Sequence, residues 1–182
     1  MPTIIIVIIV AVIFVGSAFG GWTRYKQRKL RASFGPEFET VAREHDTPRL
    51  VDRELRRRKS LHSELSLQPI NEQDQEYYTT SWDHLQSGFL DDPAMALGSA
   101  EQLVEKLLDV RGYPGAGHEE QIALLSVEHA HALTDYRAAQ YVSRRAKANP
   151  ASTPTEDLRQ ALLSYHVLFT ELLAGASVAT SR

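Results

Sequence analysis

The feature that most constrains this chain is a stretch without charge, Thr3 to Trp22, twenty residues long. Inside it, Ile4 to Val15 is apolar at every position. Twenty helical residues at about 1.5 Å each span about 30 Å, the thickness of a bilayer's hydrocarbon core. Ile and Val are mediocre helix formers in water. In lipid the backbone has no other hydrogen-bond partner, so a helix is enforced. Trp22 and Tyr25 stand where an interfacial aromatic belt belongs. The stretch therefore predicts an N-terminal transmembrane anchor over residues 1–23.

A cleaved signal peptide is the competing reading. Gly16, Ser17, Ala18, Gly20 and Gly21 resemble the small residues of a cleavage site. A signal peptide also calls for a basic segment before the apolar core, and none is present. Instead Arg24, Lys26, Arg28, Lys29 and Arg31 follow at once, a stop-transfer flank. The flank favours a permanent anchor. It also predicts a cytoplasmic body, because cations beside a span are retained on that side. The same five side chains are the expected contacts to anionic headgroups. Gly16 and Gly20 form a G-x-x-x-G pair, a candidate close-approach face for a homodimer of spans. The competing account is that Gly is common in membrane helices.

The formal charge of -3 conceals blocks of opposite sign. Residues 24–59 hold 12 Lys+Arg and 6 Asp+Glu. Residues 60–143 hold 3 and 14, and residues 144–182 hold 5 and 3. The basic block abuts the apolar stretch. An anionic leaflet favours each nearby cation by about 1 kcal/mol. The expectation is a basic stalk near the membrane surface with an acidic body beyond it. Nucleic acid is not an expected partner: Arg56, Arg57, Arg58 and Lys59 have no interleaved aromatics or binding motif around them.

After the span the punctuation is helical. Phe34-Gly35-Pro36 breaks the chain, and Pro36 opens a short helix to about Glu44, since Pro suits the first helical position. Asp46-Thr47-Pro48 repeats the signal for a charged helix to about Leu65 with a thin stripe of Val51, Leu55, Leu61 and Leu65. Asn71 caps the next, whose Tyr78, Trp82, Leu85 and Phe89 share a face. Asp91-Asp92-Pro93 opens another, with Ala96, Ala100, Leu103 or Val104, Leu107, and Val110 or Arg111 inward. Arg111-Gly112-Tyr113-Pro114 stops it with a left-handed cap. From His118 to about Asn149 the stripe is interrupted at His129-Ala130-His131, which predicts two helices or a bent one. Thr153-Pro154-Thr155-Glu156 reads as a capping box before a last helix ending at Gly175. Short loops between these segments predict an antiparallel all-α bundle over 71–175, behind a helical stalk over 24–70 and before a tail over 176–182.

Chemistry is sparse. The chain has no Cys, which removes thiolate metal sites and cysteine nucleophiles. His129 and His131 splay apart on a helix, and His118-Glu119 does not continue into H-E-x-x-H. His84 and His166 stand alone. Asp91 and Asp92 read as caps rather than paired acids. Tyr77, Tyr78 and Trp82 read as core rather than a ligand pocket. Arg111 is a candidate for a buried ion pair with Asp91, Asp92 or Asp109. Ser126, Ser143 and Ser164 lack a nucleophile-elbow context, and Gly112, Gly115 and Gly117 lack the Lys-Ser/Thr of a phosphate loop. No catalytic residue, metal ligand or cofactor is expected.

Several strings together carry a resemblance: Phe34-Gly35-Pro36-Glu37, Trp82, Phe89 to Pro93, Arg111 to Pro114, Tyr136 to Ala139, and Ser152 to Arg159. Over about residues 20–174 the chain resembles a family of uncharacterised single-pass membrane-anchored helical proteins of actinobacterial type. The resemblance implies a bacterial plasma-membrane protein of the same helical layout, and no activity. Some members are described as secreted, which implies the opposite orientation. His129-Ala130 departs from the family's helix-starting Pro. The function expected is a non-enzymatic interaction or scaffold module at the membrane with an unidentified protein partner. The alternatives are an extracytoplasmic structural domain and a ligand-binding or enzymatic bundle.

Overall fold

The computed structural model describes residues 33–115 and 118–177. Among these residues the chain is all-helical, and no strand occurs. Nor is any of these helices long and apolar enough to cross a membrane. The expected span over Thr3 to Trp22 lies outside the described residues. So do Gly16, Gly20, Arg24, Lys26, Arg28, Lys29 and Arg31.

The chain divides into two compact units, one ending at Arg56 and one beginning at Arg57. In the first, α1 (Pro36–Glu44) starts where Gly35, at φ 45°, takes a backbone conformation that a side chain resists. Phe34, Phe38, Val41, Val51 and Leu55 are buried there. α2 (Pro48–Ser63) runs through the division. On its outer face Arg56 pairs with Asp52 at 2.9 Å, one turn apart. Such an exposed pair contributes about 0.3–0.5 kcal/mol.

The second unit contains α3 (Glu72–Gly88), α4 (Pro93–Arg111), α5 (His118–Leu125), α6 (Ala130–Ala148), a single 3₁₀ turn (Pro150–Ser152) and α7 (Thr155–Ser177). α4 is central: it packs against α3, α6 and α7, and α6 packs along α7. Leu97, Ala100, Val104, Leu107 and Leu108 of α4 meet Leu133, Tyr136 and Ala139 of α6 and Leu162, Tyr165, Leu168, Phe169 and Leu172 of α7 in one core. Each such large side chain gains about 1.5–3 kcal/mol by leaving water. Tyr136 and Tyr165 meet edge to face at 5.7 Å. Trp82 brings α3 onto α7, stacking on His166 at 4.8 Å and on Phe169 at 4.7 Å. Leu61, Leu65 and Leu67 pack on the same core.

The termini show why the helices start and stop where they do. Asn71 accepts the Asp74 N–H at 2.8 Å, and Asp92 accepts the Met95 N–H at 2.9 Å. Each satisfies an orphan donor of the first turn. Gly112, at φ 89°, closes α4. Its N–H reaches the Asp109 carbonyl, and the Tyr113 N–H reaches the Leu108 carbonyl, both at 3.0 Å. That pair of bonds is a Schellman motif. Periodicity leaves two choices open on α4: Leu103 and Val104 are both buried, whereas Arg111 is buried and Val110 is exposed.

Two termini differ from expectation. At α7 the Thr153 hydroxyl donates back to the Asn149 carbonyl, and the Glu156 carboxylate accepts from Arg159. The capping-box residues therefore serve other bonds, and the helix begins at Thr155. α7 also continues through Gly175 to Ser177, because only Gly35 and Gly112 among the described residues have positive φ. The His118–Asn149 stretch is two helices, separated by a turn at Ser126–His129. No Pro is needed there: the His129 N–H closes on the Leu125 carbonyl at 2.8 Å, and α6 starts at Ala130.

Candidate functional site

Two places in the second unit gather side chains that the core does not consume. The first is an open groove of about 400 Å³ between α3 and α4. Leu85, Ala96 and Leu103 make it apolar; Ser81, Gly88 and Ser99 keep it wide because they are small. Tyr77 (57% exposed) and Met95 (68% exposed) stand on either side with large apolar surfaces in water. A second hollow on the other side of Tyr77 and His84, lined also by Gln73, Glu76 and Thr80, extends the groove along α3. The surroundings are acidic: α3 carries Glu72, Asp74, Glu76 and Asp83 and no Lys or Arg. The titratable lining groups are Tyr77, His84, Asp92 and Lys106. The Asp92 carboxylate is committed to capping α4. What the groove offers is an apolar trough with a polar rim, which suits a packed side chain or helix.

The second place is a polar cluster where the end of α2, the turn after α4, the α5–α6 turn and α7 converge. Arg58 is buried and donates to the Ser126 hydroxyl at 3.3 Å, while Ser126 donates to the Ala123 carbonyl. One turn along α2, His62 Nε2 lies 3.8 Å from Glu128. The Tyr113 ring sits 6.3 Å from the His62 ring and 6.5 Å from the His129 ring. His129 Nδ1 is 2.9 Å from a Glu171 carboxylate oxygen. Arg111 donates to the Gln68 carbonyl at 2.6 Å, and the Gln68 N–H donates to the Arg111 carbonyl at 2.9 Å. His62 Nε2, Tyr113 Oη and His129 Nε2 are buried without a hydrogen-bond partner. Burial holds the His62 pKa below its usual 6.5; Glu128 pulls it up and His129 pushes it down. Burial also pushes the Tyr113 phenol far above its usual 10. Among the described residues no group of three or more His, Asp or Glu is placed to hold a metal ion.

Ion pairs elsewhere staple the helices. Lys147 reaches Glu101 at 2.6 Å, joining α6 to α4, and Arg145 reaches Asp157, joining α6 to α7. The residues singled out from sequence fall into these places unevenly. Asp92 caps, as expected, and Tyr78 and Trp82 are core. Tyr77 is not core; it stands at the groove, because one helical step turns it away from α7. His84 lines the groove and His166 stacks on Trp82. His129 is buried just before α6, and His131 is exposed in its first turn. Arg111 is buried as expected, yet its guanidinium binds the Gln68 carbonyl rather than Asp91, Asp92 or Asp109. The sequence reading missed the pairing of His62 with Glu128; a buried-face histidine at the end of a thin-striped helix was its only signal. Comparison of the chain with models of known protein families, with curated proteins and with solved structures finds no match.

Proposed function

We propose that the protein is a single-pass, membrane-anchored helical module without enzymatic activity, whose acidic bundle binds a protein partner through the α3–α4 groove. The observation that carries this reading is the groove itself, with Tyr77 and Met95 holding apolar surface in water beside small residues that leave room for a partner. The uncharged stretch Thr3 to Trp22 and the cations from Arg24 to Arg31 support the anchor and headgroup contact. The asymmetry of those cations supports a cytoplasmic body, and Gly16 with Gly20 supports pairing of two spans. Resemblance to the actinobacterial single-pass family supports the same placement in a bacterial plasma membrane.

Site-specific photocrosslinking in the full chain tests the binding face. A photoreactive side chain at Ser99 in the groove is expected to capture a discrete partner band in membranes. The same group at Ala138, exposed on α6, is expected to capture none. Equal capture at both positions, or none at Ser99, refutes the groove. A compartment reporter fused after Arg182 tests the orientation separately, and activity of an extracytoplasmic reporter overturns the cytoplasmic body.

A further inference from the structure

The polar cluster at the end of α2 plays no part in the proposed partner face. His62 sits in the last turn of α2 with its side chain 11% exposed. The segment it belongs to reaches the bundle through Arg58 on Ser126 and through Leu61 and Leu65 on the core. The neutral imidazole fits there beside the Tyr113 ring. An imidazolium does not. Its Nε2 proton finds no acceptor within hydrogen-bond reach, since Glu128 stands at 3.8 Å and is half-exposed to water. A buried charge without a hydrogen-bonded partner is disfavoured strongly. We propose that His62 is a proton-operated latch: its neutral ring holds residues 57–65 on the bundle, and its protonation releases them.

The charged and titratable surroundings agree with that direction. Glu128 favours the proton, while burial and His129 oppose it, burial most strongly. Arg58 lies one turn back on α2, and Arg111 adjoins Tyr113 at the end of α4. From α7, Glu171 is engaged by His129. Tyr113 stays neutral through the relevant range, its pKa raised by burial. The docked ring therefore binds a proton less readily than the undocked ring, whose pKa is about 6.5. The contribution of the neutral ring to docking is fully present above about pH 6.5 and weakens progressively as pH falls through the window below it. Protons are the ligand, and residues 57–65 are the moving part.

The test uses the full chain. Imidazole resonances of His62 are titrated by NMR, and amide hydrogen exchange is compared between residues 57–65 and 103–108 of α4 at about pH 7.5 and about pH 5.5. After correction for intrinsic exchange, protection at 57–65 is expected to fall by about threefold or more relative to α4. The His62 midpoint is expected below 6.5. His62→Gln, which cannot titrate, is expected to remove the fall. A midpoint at or above 6.5, or the same fall in H62Q, overturns the latch. If H62Q does not fold, Glu128→Gln decides. Loss of the attracting carboxylate must lower the His62 midpoint further, and an unchanged or raised midpoint overturns the proposal.

Discussion

Gly98 within α4 and Gly112 just past its end give opposite responses to the same substitution. Gly112 ends the helix at φ 89°, where an alanine is strained by about 1–2 kcal/mol. A Cβ built there would lie 3.0 Å from the Ser66 carbonyl oxygen. That oxygen cannot retreat freely, because the connector is fastened two residues on by both bonds between Gln68 and Arg111. Forcing an extra methyl into such a contact costs about 1–3 kcal/mol. Gly112→Ala is therefore expected to lose about 2–5 kcal/mol in total. Gly98 lies in the interior of the same helix with nothing within 4 Å of a built Cβ. Gly98→Ala should gain about 0.5–1 kcal/mol, because alanine loses less backbone entropy in a helix. At about 2–4 °C per kcal/mol, Tm should fall by about 4–20 °C in the first variant and rise by about 1–4 °C in the second. Urea unfolding followed by far-UV circular dichroism measures both, with m unchanged if the comparison is sound. A loss below about 1 kcal/mol for G112A refutes the left-handed clasp. An equal loss for G98A refutes the contrast, since it would make any added methyl on α4 harmful.

Other expectations concern the core. Trp82→Ala removes the ring stacked on His166 and Phe169 and should cost about 3–5 kcal/mol, whereas Trp82→Phe should keep much of the contact; urea titration separates them. Burial pushes the phenols of Tyr113, Tyr136 and Tyr165 far above their usual 10. The unfolded chain ionises them first, so stability is retained below about pH 10 and drains as pH rises beyond it. Tyrosinate absorbance from these three should appear together with unfolding, and its appearance in the folded chain would contradict their burial.

The layout of the bundle was legible because its signals are local. Asn71, Asp92 and Gly112 satisfy or stop a helix within five residues of themselves, so the sequence around them suffices. The stripe of Tyr78, Trp82, Leu85 and Phe89 likewise marks an inward face by spacing alone. Contacts made across the chain were not legible. His62 and Glu128 are brought together by the packing of four segments, and nothing near either residue announces the other. Arg111 reads as buried from its place in the α4 stripe. Its partner is a backbone carbonyl, which any residue at 68 would present. The groove was invisible for a related reason: periodicity marks the face that another helix covers, not the gap left beside Ser81 and Ser99.

The central position of α4 has a consequence for synthesis. Its apolar face is covered by α6 and α7, and α7 ends roughly 65 residues after α4 does. At about 5–20 residues per second, that face waits about 3–13 seconds between its own translation and the arrival of its cover. During that interval Leu97, Val104, Leu107 and Leu108 are available to whatever holds nascent chains near the ribosome. A chain that stops before α7 would leave the part of that face that α7 covers open to water, whatever α6 has already buried.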